Sequence, residues 1–358
     1  MASTKLQRLH PWMQEPLIVS APMRPYAKHE LATAVTLAGG LGFIPNCNET
    51  AQTREELAAA VNKLQTAPSS ESLGGILQQT LPIGLGYQIY QESLDEAISV
   101  IAEFKPIAVW LFAARQNQDY ADWADAVRKA SPSTTIWIQV GTIADALAMV
   151  DLCGREIILV LQGSDAGGHG LQHSAGLVTL LPEAVDALRD YEIPIFAAGG
   201  ISEGRGAAAA LLLGADGIVL GTRFLAAEEA ITPKGFLQHI LDTKDGGATT
   251  RRTRLFDNLR GTGNFPAEYD GRALVNESIR DDDNGVLDDI AKERYQTALK
   301  SVDGGFGDTG RLVSYAGTGV GLIKDVRPVA DIMDEIKRDA IRAMQQIQQR
   351  ASKWSHHH

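Results

Sequence analysis

Cysteines and long apolar runs are both scarce in this sequence. Its only cysteines are Cys47 and Cys153, and no CxxC motif is present, so we expect neither a disulfide framework nor a cysteine-based metal site. We predict two reduced, buried thiols in a cytoplasmic protein. No apolar run approaches the roughly 20 residues that a membrane-spanning helix requires. The N-terminal stretch MASTKLQRLHPWMQ lacks the basic and apolar segments of a secretory signal.

Positively charged residues are also fewer than negatively charged ones. Lysine and arginine total 33 against 44 aspartates and glutamates, which gives a formal net charge of −11. Such a surface repels phosphate backbones, so we predict no nucleic-acid partner. Hydrophobic residues make up 44% of the 358 residues. That content supports a large core, in one large α/β domain or two ordinary domains.

Eight apolar segments alternate with amphipathic, helix-like segments over the first two thirds of the chain. LPIGLGY, TIWIQV and EIILVLQG are examples of the apolar segments. Strands that are apolar throughout, rather than at alternate positions, are typical of parallel sheets buried on both faces. Eight such units predict an α/β fold of the (β/α)8 barrel type rather than an open, doubly wound sheet.

The pattern changes after the eighth predicted strand. We predict the barrel over residues 1–231, an insertion or subdomain at the barrel top over residues 232–310, and a return segment with a C-terminal helix over residues 311–351. Pro328 opens that helix, and an apolar stripe follows it. The last residues, 355–358, include three histidines and are expected to be part of an expression tag.

Glycines cluster where the last three barrel strands are predicted to end. They are Gly167 and Gly168 after the sixth strand, Gly199 and Gly200 after the seventh, and Gly221 after the eighth. Active sites of barrels lie at this end, and the loops after strands seven and eight commonly hold a phosphate group. Glycine lets backbone N–H groups approach phosphate oxygens. We therefore predict a phosphate cradle, with tight βα turns as the alternative reading.

His169 is the predicted catalytic or substrate-polarising residue. It follows a Gly-Gly pair at a strand end, and its neighbours in QGSDAGGHG offer few other reactive side chains. Imidazole also changes its charge near neutral pH. A structural histidine is the alternative. We predict no metal site with His173, because the flanking glycines argue against a helix and no third ligand is near.

Three further side chains are candidate contacts for a flat heterocycle. Met23 ends the first strand, and a flexible thioether suits a ring system, although a core position is the alternative. Gln139 and Gln162 lie near the ends of strands five and six. A buried amide needs hydrogen-bond partners, so each is predicted to bond either a heterocycle edge or a neighbouring loop.

Several segments of the chain resemble the nitronate monooxygenases, formerly called 2-nitropropane dioxygenases. They are LATAVTLAGGLGFI, QGSDAGGHG, PIFAAGGISEGRGAAAALLLGADGIVLGTRF and AGTGVGLI. Their order and spacing match over most of residues 15–345. The middle segments are typical of a group of FMN-dependent barrels that also includes FMN-type enoyl-ACP reductases and NADH:quinone reductases. The resemblance implies a non-covalent FMN, a small-molecule nitronate or nitroalkane substrate, and O2.

The resemblance also implies a role for each candidate residue. His169 corresponds to the family's catalytic histidine, which binds the nitro group and takes the α-proton of neutral nitroalkanes. The nitronate is then oxidised to a carbonyl compound and nitrite. The remaining candidates are assigned to the cofactor: Met23, Gln139, Gln162, Gly167 and Gly168 to the flavin, and Gly199, Gly200, Val219, Leu220, Gly221 and Thr222 to the phosphate cradle.

Two departures from the family pattern concern the substrate more than the cofactor. Asp165 stands where the family usually has glutamate. Gly86 and Tyr87 follow the third strand's PIGL, where many bacterial members have an asparagine. This change removes a polar flavin contact, and we expect it to place the Tyr87 ring near the barrel mouth.

Three other functions stay open at this point. The first is an NAD(P)H-dependent FMN reductase acting on quinone or enoyl substrates, and the second is a flavin- or phosphate-binding barrel without turnover. The third is a phosphate-binding barrel enzyme without flavin. It is disfavoured because such enzymes often use a strand-end lysine, which we do not find here. A homodimer is also open.

Overall fold

The computed structural model describes residues 10–301 and 305–354. The predicted tag, residues 355–358, lies outside the described residues. Within them the chain forms strands in this order: β1 (Leu17–Ser20), β2 (Phe43–Pro45), β3 (Leu81–Gln88), β4 (Pro106–Phe112), β5 (Thr135–Val140), β6 (Ile157–Gln162), β7 (Gly168–Leu171), β8 (Ile195–Ala198), β9 (Gly217–Leu220), β10 (Thr250–Thr253) and β11 (Tyr269–Leu274).

Eight of these strands form one parallel sheet that curls into a barrel. Their order is β1-β9-β8-β6-β5-β4-β3-β2. The sheet closes between β1 and the segment before β2. There the Ser20 N–H donates to the Leu41 carbonyl at 3.1 Å, and the Leu41 N–H donates to the Ile18 carbonyl at 3.2 Å. The (β/α)8 prediction is confirmed.

Helices separate the barrel strands and continue into the later part of the chain. They are α1 (His29–Leu37), α2 (Thr50–Thr66), α3 (Leu94–Phe104), α4 (Asn117–Ala130), α5 (Ile143–Cys153), α6 (Leu177–Ala187), α7 (Gly204–Leu212), α8 (Thr222–Leu225), α9 (Lys234–Asp242), α10 (Gly246–Thr249), α11 (Leu255–Arg260), α12 (Glu277–Asp283), α13 (Asp288–Leu299) and α14 (Val329–Trp354). Short 3-10 helices cover Pro68–Gln78, Arg189–Tyr191 and Thr318–Leu322. Among the described residues, no helix combines the length and apolar character needed to cross a bilayer.

Local sequence signals set where several of these helices start and stop. Thr142 precedes α5, and its hydroxyl accepts the Asp145 N–H at 3.1 Å, which satisfies one of the free amides of the first turn. Gly154 ends the same helix with φ +78°, a conformation that glycine adopts without steric cost. The helix therefore ends at a defined residue, and the chain turns there toward β6.

Large aromatic side chains fill the barrel. The Phe43 ring meets the Trp110 ring edge-on at 5.2 Å, and the Trp137 ring lies 4.6 Å from the Phe196 ring. Gly84 leaves the room that the Phe43 ring occupies, since a Cβ there would lie 2.2 Å from it. Interiors pack at crystal-like density, so such large rings require small residues on neighbouring strands. The barrel is a solid core, and its chemistry must lie at an end.

A second, smaller sheet lies at the carboxyl end of the barrel strands. It has the order β10-β11-β7 and is antiparallel, with His169 opposite Gly271. No strand was expected in QGSDAGGHG beyond the end of the sixth barrel strand, but its last three residues belong to β7. That expectation was wrong because the pairing partner, β11, comes about 100 residues later in the chain, beyond the reach of any local pattern.

Two hydrophobic clusters belong to different parts of the chain. The barrel cluster includes Val329, Ile332 and Met333 of α14, which packs against α7. A separate cluster around Phe256, Leu259 and other apolar residues holds the segments that carry β10 and β11 together. The domain limits at residues 231 and 310 stay a prediction.

Candidate functional site

His169 lies on β7 with its imidazole bonded to a carboxylate that the sequence analysis missed. The Nε2 atom lies 2.9 Å and 3.1 Å from the two carboxylate oxygens of Asp257. Asp257 is on α11 and is only 1% exposed. The local signal was weak, since segments such as RLFDNLR, with one acid among apolar and basic residues, are common on helix surfaces. Only the tertiary structure brings this pair together.

Aromatic rings fix the plane of the His169 imidazole. The Phe265 ring stacks on it with centroids 4.0 Å apart and planes inclined by 1°, and the Tyr315 ring lies 5.2 Å away at 57°. Burial raises the pKa of Tyr315, and burial together with the Asp257 charge raises the pKa of Tyr90 to about 12. Both phenols therefore stay neutral at physiological pH.

The second ring nitrogen of His169, Nδ1, is the free one. Among the described residues, Nδ1 has no hydrogen-bond partner. It is also not fully buried, since the fully buried polar atoms without a partner do not include it. His169 and Leu171 are two residues apart on a strand, so their side chains share a face. Leu171 lines the cavity at the barrel mouth. His169 therefore lies on the same face of β7 as Leu171, next to the cavity but not among the residues that line it.

That cavity lies between the ends of β4, β5 and β6 and the small sheet. Its walls combine apolar rings with a few polar groups, a composition that is typical of small-molecule sites. The polar groups include an arginine, an asparagine, three glutamines and two carboxylates. The lining residues used below are Phe112, Arg115, Gln139, Gln162, Leu171 and Tyr269.

Both predicted glutamines reach this cavity, but each is already partly bonded. The Gln139 side-chain oxygen accepts the Trp110 indole N–H at 3.1 Å. The Gln162 amide donates to the His169 carbonyl at 3.2 Å. A Cβ on Gly170 would lie 2.3 Å from the Gln162 Oε1 atom, so the glycine at this position leaves room for the Gln162 side chain. Gln162 thus ties the end of β6 to the strand that carries His169.

The predicted phosphate cradle lies at the ends of β8 and β9. Gly199 and Gly200 have φ values of +113° and +73°, which L side chains rarely adopt. In the part of the chain that the structure describes, the Gly200 and Gly221 N–H groups have no protein acceptor. A Cβ on Gly221 would meet only Ala21 and Met23 atoms, both at 3.9 Å. Open space therefore adjoins the free Gly221 donor, whereas Gly200 lies close to the Asp165 side chain.

The other cradle candidates contribute differently. Val219 and Leu220 lie within β9 and point their side chains into buried positions, so only their backbone can face a ligand. The Thr222 hydroxyl accepts the Gly317 N–H at 3.0 Å and keeps its own proton to donate. Met23 is half-buried, with its sulfur beside the Gly221 position.

The return segment covers the cradle and explains two features of QGSDAGGHG. A Cβ on Gly167 would lie 2.4 Å from the Ala316 carbonyl carbon, so the return segment can pack against this position only because it is glycine. Asp165 accepts from the Thr318 hydroxyl at 3.0 Å, and the Thr318 N–H donates to its carbonyl. The shorter acid is thus fully engaged in the loop. Gly168 has φ +71° and no neighbouring atom within 4 Å of a Cβ, which leaves space beside it.

The expected position of Tyr87 was wrong. Its ring is buried against Trp123 of α4, 5.2 Å between centroids, and it is 2% exposed. It therefore faces the helix layer and not the barrel mouth. Alternation along β3 places the preceding residue, Gly86, on the inner side, where a Cβ would lie 2.5 Å from the Pro22 ring.

Comparison with known proteins gives consistent matches over nearly the whole chain. The family model described as nitronate monooxygenase matches residues 7–339. The chain is 43% identical to nitronate monooxygenase npaC of Metarhizium robertsii over 93% of each chain. It is 36% identical to nitronate monooxygenase of Neurospora crassa over 97% of this chain and 95% of that one.

Solved structures support the fold. FabK from Thermotoga maritima superimposes with a TM-score of 0.74 at 22% identity, over 96% of this chain and 98% of that one. Nitroalkane oxidase from Streptomyces ansochromogenes gives a TM-score of 0.71 at 22% identity, over 95% and 99%. At this identity the likeness concerns the fold alone.

Proposed function

The chain belongs to the nitronate monooxygenase family, and on this basis we propose that it oxidises alkyl nitronates with O2 to a carbonyl compound and nitrite. It is an oxidoreductase. The observation that carries the proposal is the placement of His169, an imidazole with one free nitrogen on the same face of β7 as the cavity-lining Leu171. Few other groups at the mouth can bind a nitro group and also exchange a proton near neutral pH.

The family is flavin-dependent, and we propose FMN as the flavin of this chain. The cradle fits a phosphate monoester: Gly200 and Gly221 offer free N–H groups, and Thr222 offers a hydroxyl proton. Backbone donors grouped in this way form an anion-binding concavity. Bound FMN would supply the electron-accepting chemistry of the reaction.

The chain's own residues bind and orient the substrate. We propose that Met23, Gln139, Gln162, Gly167 and Gly168 border the flavin ring, while Gly199, Val219 and Leu220 complete the cradle through their backbone. The Nδ1 atom of His169 faces the substrate: in the neutral ring it can accept a proton from a nitroalkane, and in the protonated ring Nδ1–H can donate to a nitronate oxygen. The apolar wall of Phe112, Leu171 and Tyr269 excludes water from the alkyl end. Excluding water strengthens each polar contact made inside the site.

Two alternatives are less well supported. An NAD(P)H-dependent reductase of quinones or enoyl groups shares the barrel, but the relatives that match most of this chain are named for nitronates. A barrel that binds flavin without turnover does not require an imidazole paired with a buried carboxylate. We also keep the homodimer and the cytoplasmic location as predictions.

Steady-state turnover distinguishes these functions. We expect the FMN-saturated protein to consume O2 when ethyl nitronate is added and to release nitrite and acetaldehyde. NADH with a quinone should give no comparable rate. The measurements are an oxygen electrode trace and a colorimetric nitrite assay on the same sample. Rapid NADH oxidation with quinone, and no nitrite from the nitronate, would replace our proposal with the reductase.

A further inference from the structure

We propose that Asp257 is a positioning residue that keeps the His169 ring proton on Nε2, so that Nδ1 acts as a base toward neutral nitroalkanes. This inference rests on the proposed function and adds to it the residue that sets the protonation of the His169 ring. It is carried by one contact, the buried Asp257–His169 pair, together with the free Nδ1.

The burial of the pair decides which nitrogen carries the proton. The Asp257 side chain is 1% exposed and that of His169 is 11% exposed. Among the described residues, His169 Nε2 is the only donor to the Asp257 carboxylate. A buried carboxylate that lacks a donor is strongly destabilising. A proton on Nε2 satisfies it, and the lone pair of the neutral ring then lies on Nδ1.

The stacked rings keep this arrangement from rotating away. Phe265 lies parallel to the imidazole at 4.0 Å, and Tyr315 contacts it from a second direction. A ring flip would exchange Nε2 for a carbon atom at Asp257 and leave the carboxylate without its donor. The direction of the Nδ1 lone pair is therefore fixed by packing as well as by the hydrogen bond.

The chemical step balances without any further reactant. The α-carbon C–H bond of the nitroalkane breaks, and its electron pair moves into the nitro group to give the nitronate. The proton forms a bond to Nδ1, and the ring becomes an imidazolium. Asp257 then lies beside a positive charge in a site of low dielectric, which favours the transfer. Nδ1–H now donates to the newly formed nitronate oxygen.

The proposal also assigns a function to the region above the barrel. Asp257 and Phe265 come from the segment between β10 and β11, and β11 itself pairs with the His169 strand. The barrel alone supplies the cradle and the cavity floor. The imidazole, its carboxylate and its stacking ring all lie on the added layer. That layer is thus required for proton abstraction more than for cofactor retention.

Asp257→Asn tests the proposal because it keeps the side-chain shape and removes the charge. We expect turnover of nitroethane to fall by about 10²-fold or more, the usual contribution of a general base. Ethyl nitronate has no α-proton to lose, so its turnover should stay within about threefold of wild type. The matched control is Asp281→Asn, a buried acid in the same region that is paired with Arg294 and Arg311. Its nitroethane rate should not change.

A spectroscopic readout is independent of turnover. In protein labelled with ¹⁵N-histidine, a long-range proton–nitrogen correlation spectrum identifies which ring nitrogen of His169 is protonated, with His169→Ala used for assignment. We expect the proton on Nε2 in neutral wild-type protein. A proton on Nδ1, or equal losses with both substrates in Asp257→Asn, would overturn the proposal. Wild type that oxidises the nitronate but not nitroethane would also overturn it and leave the proposed function intact; failure with both substrates would reject the proposed function itself.

Discussion

His169→Ala is expected to keep its flavin and lose most of its turnover. The side chain lies on the added layer, away from the Gly200 and Gly221 donors, so cofactor retention should not depend on it. Without the imidazole, a nitronate loses the Nδ1–H donor that the protonated ring would supply, and a neutral nitroalkane loses the Nδ1 base. We expect kcat/KM for ethyl nitronate to fall by about 10²-fold, and that for nitroethane by about 10²- to 10⁴-fold, since the base is lost as well.

The control for this variant is His173→Ala. His173 is exposed, four residues farther along the same segment, and removing it should leave both rates unchanged. Flavin content is read from the absorption spectrum of each purified variant, and turnover from oxygen uptake. Unchanged kinetics in His169→Ala would return this residue to a structural role. Loss of flavin from the same variant would place it in the cofactor site instead.

Gly200→Asp is expected to abolish FMN retention. Gly200 has φ +73°, where an L side chain is strained, and a Cβ would lie 3.0 Å from the Asp165 Cβ. The new carboxylate would stand next to Asp165 and beside the bound phosphate. Like charges at about 4 Å repel by about 4 kcal/mol at the effective dielectric of a protein surface, which corresponds to roughly 10³-fold weaker binding.

A charge-matched control separates the local effect from added net charge. Gly75→Asp places the same residue where no atom lies within 4 Å of the Cβ, and it should purify with its full flavin content. Retention is measured as the ratio of flavin to protein absorbance after gel filtration, with circular dichroism as a check on folding. A folded Gly200→Asp variant that keeps its full flavin content would contradict the assignment of the phosphate cradle to the ends of β8 and β9.

The barrel could be predicted from the sequence because each strand-helix unit carries its own local pattern. EIILVLQG, for example, is apolar throughout, as a strand buried on both faces must be, and the chain forms β6 there. The same uniformity hides which way a side chain points. For this reason Tyr87 was expected at the mouth although its ring packs on Trp123. A strand that is apolar at every position does not show which of its side chains point into the barrel.

The site was only half predictable for a different reason. Glycine clusters and His169 mark strand ends in the sequence, but Asp257 lies 88 residues from its histidine. No spacing rule connects the two, since the contact depends on β7 pairing with β11. The same pairing turned an expected loop into a strand. Contacts of this kind depend on tertiary structure, which overrides local propensity.

The most direct test of the account is an anaerobic addition of ethyl nitronate to the FMN-saturated protein while its absorption spectrum is recorded. We predict that the visible flavin band loses intensity in wild type and in His173→Ala, and that His169→Ala responds far more slowly. The band should return when O2 is admitted, together with nitrite. A flavin spectrum that is indifferent to nitronate, or a protein that binds no flavin when FMN is supplied, would contradict the assignment of this barrel to nitronate oxidation.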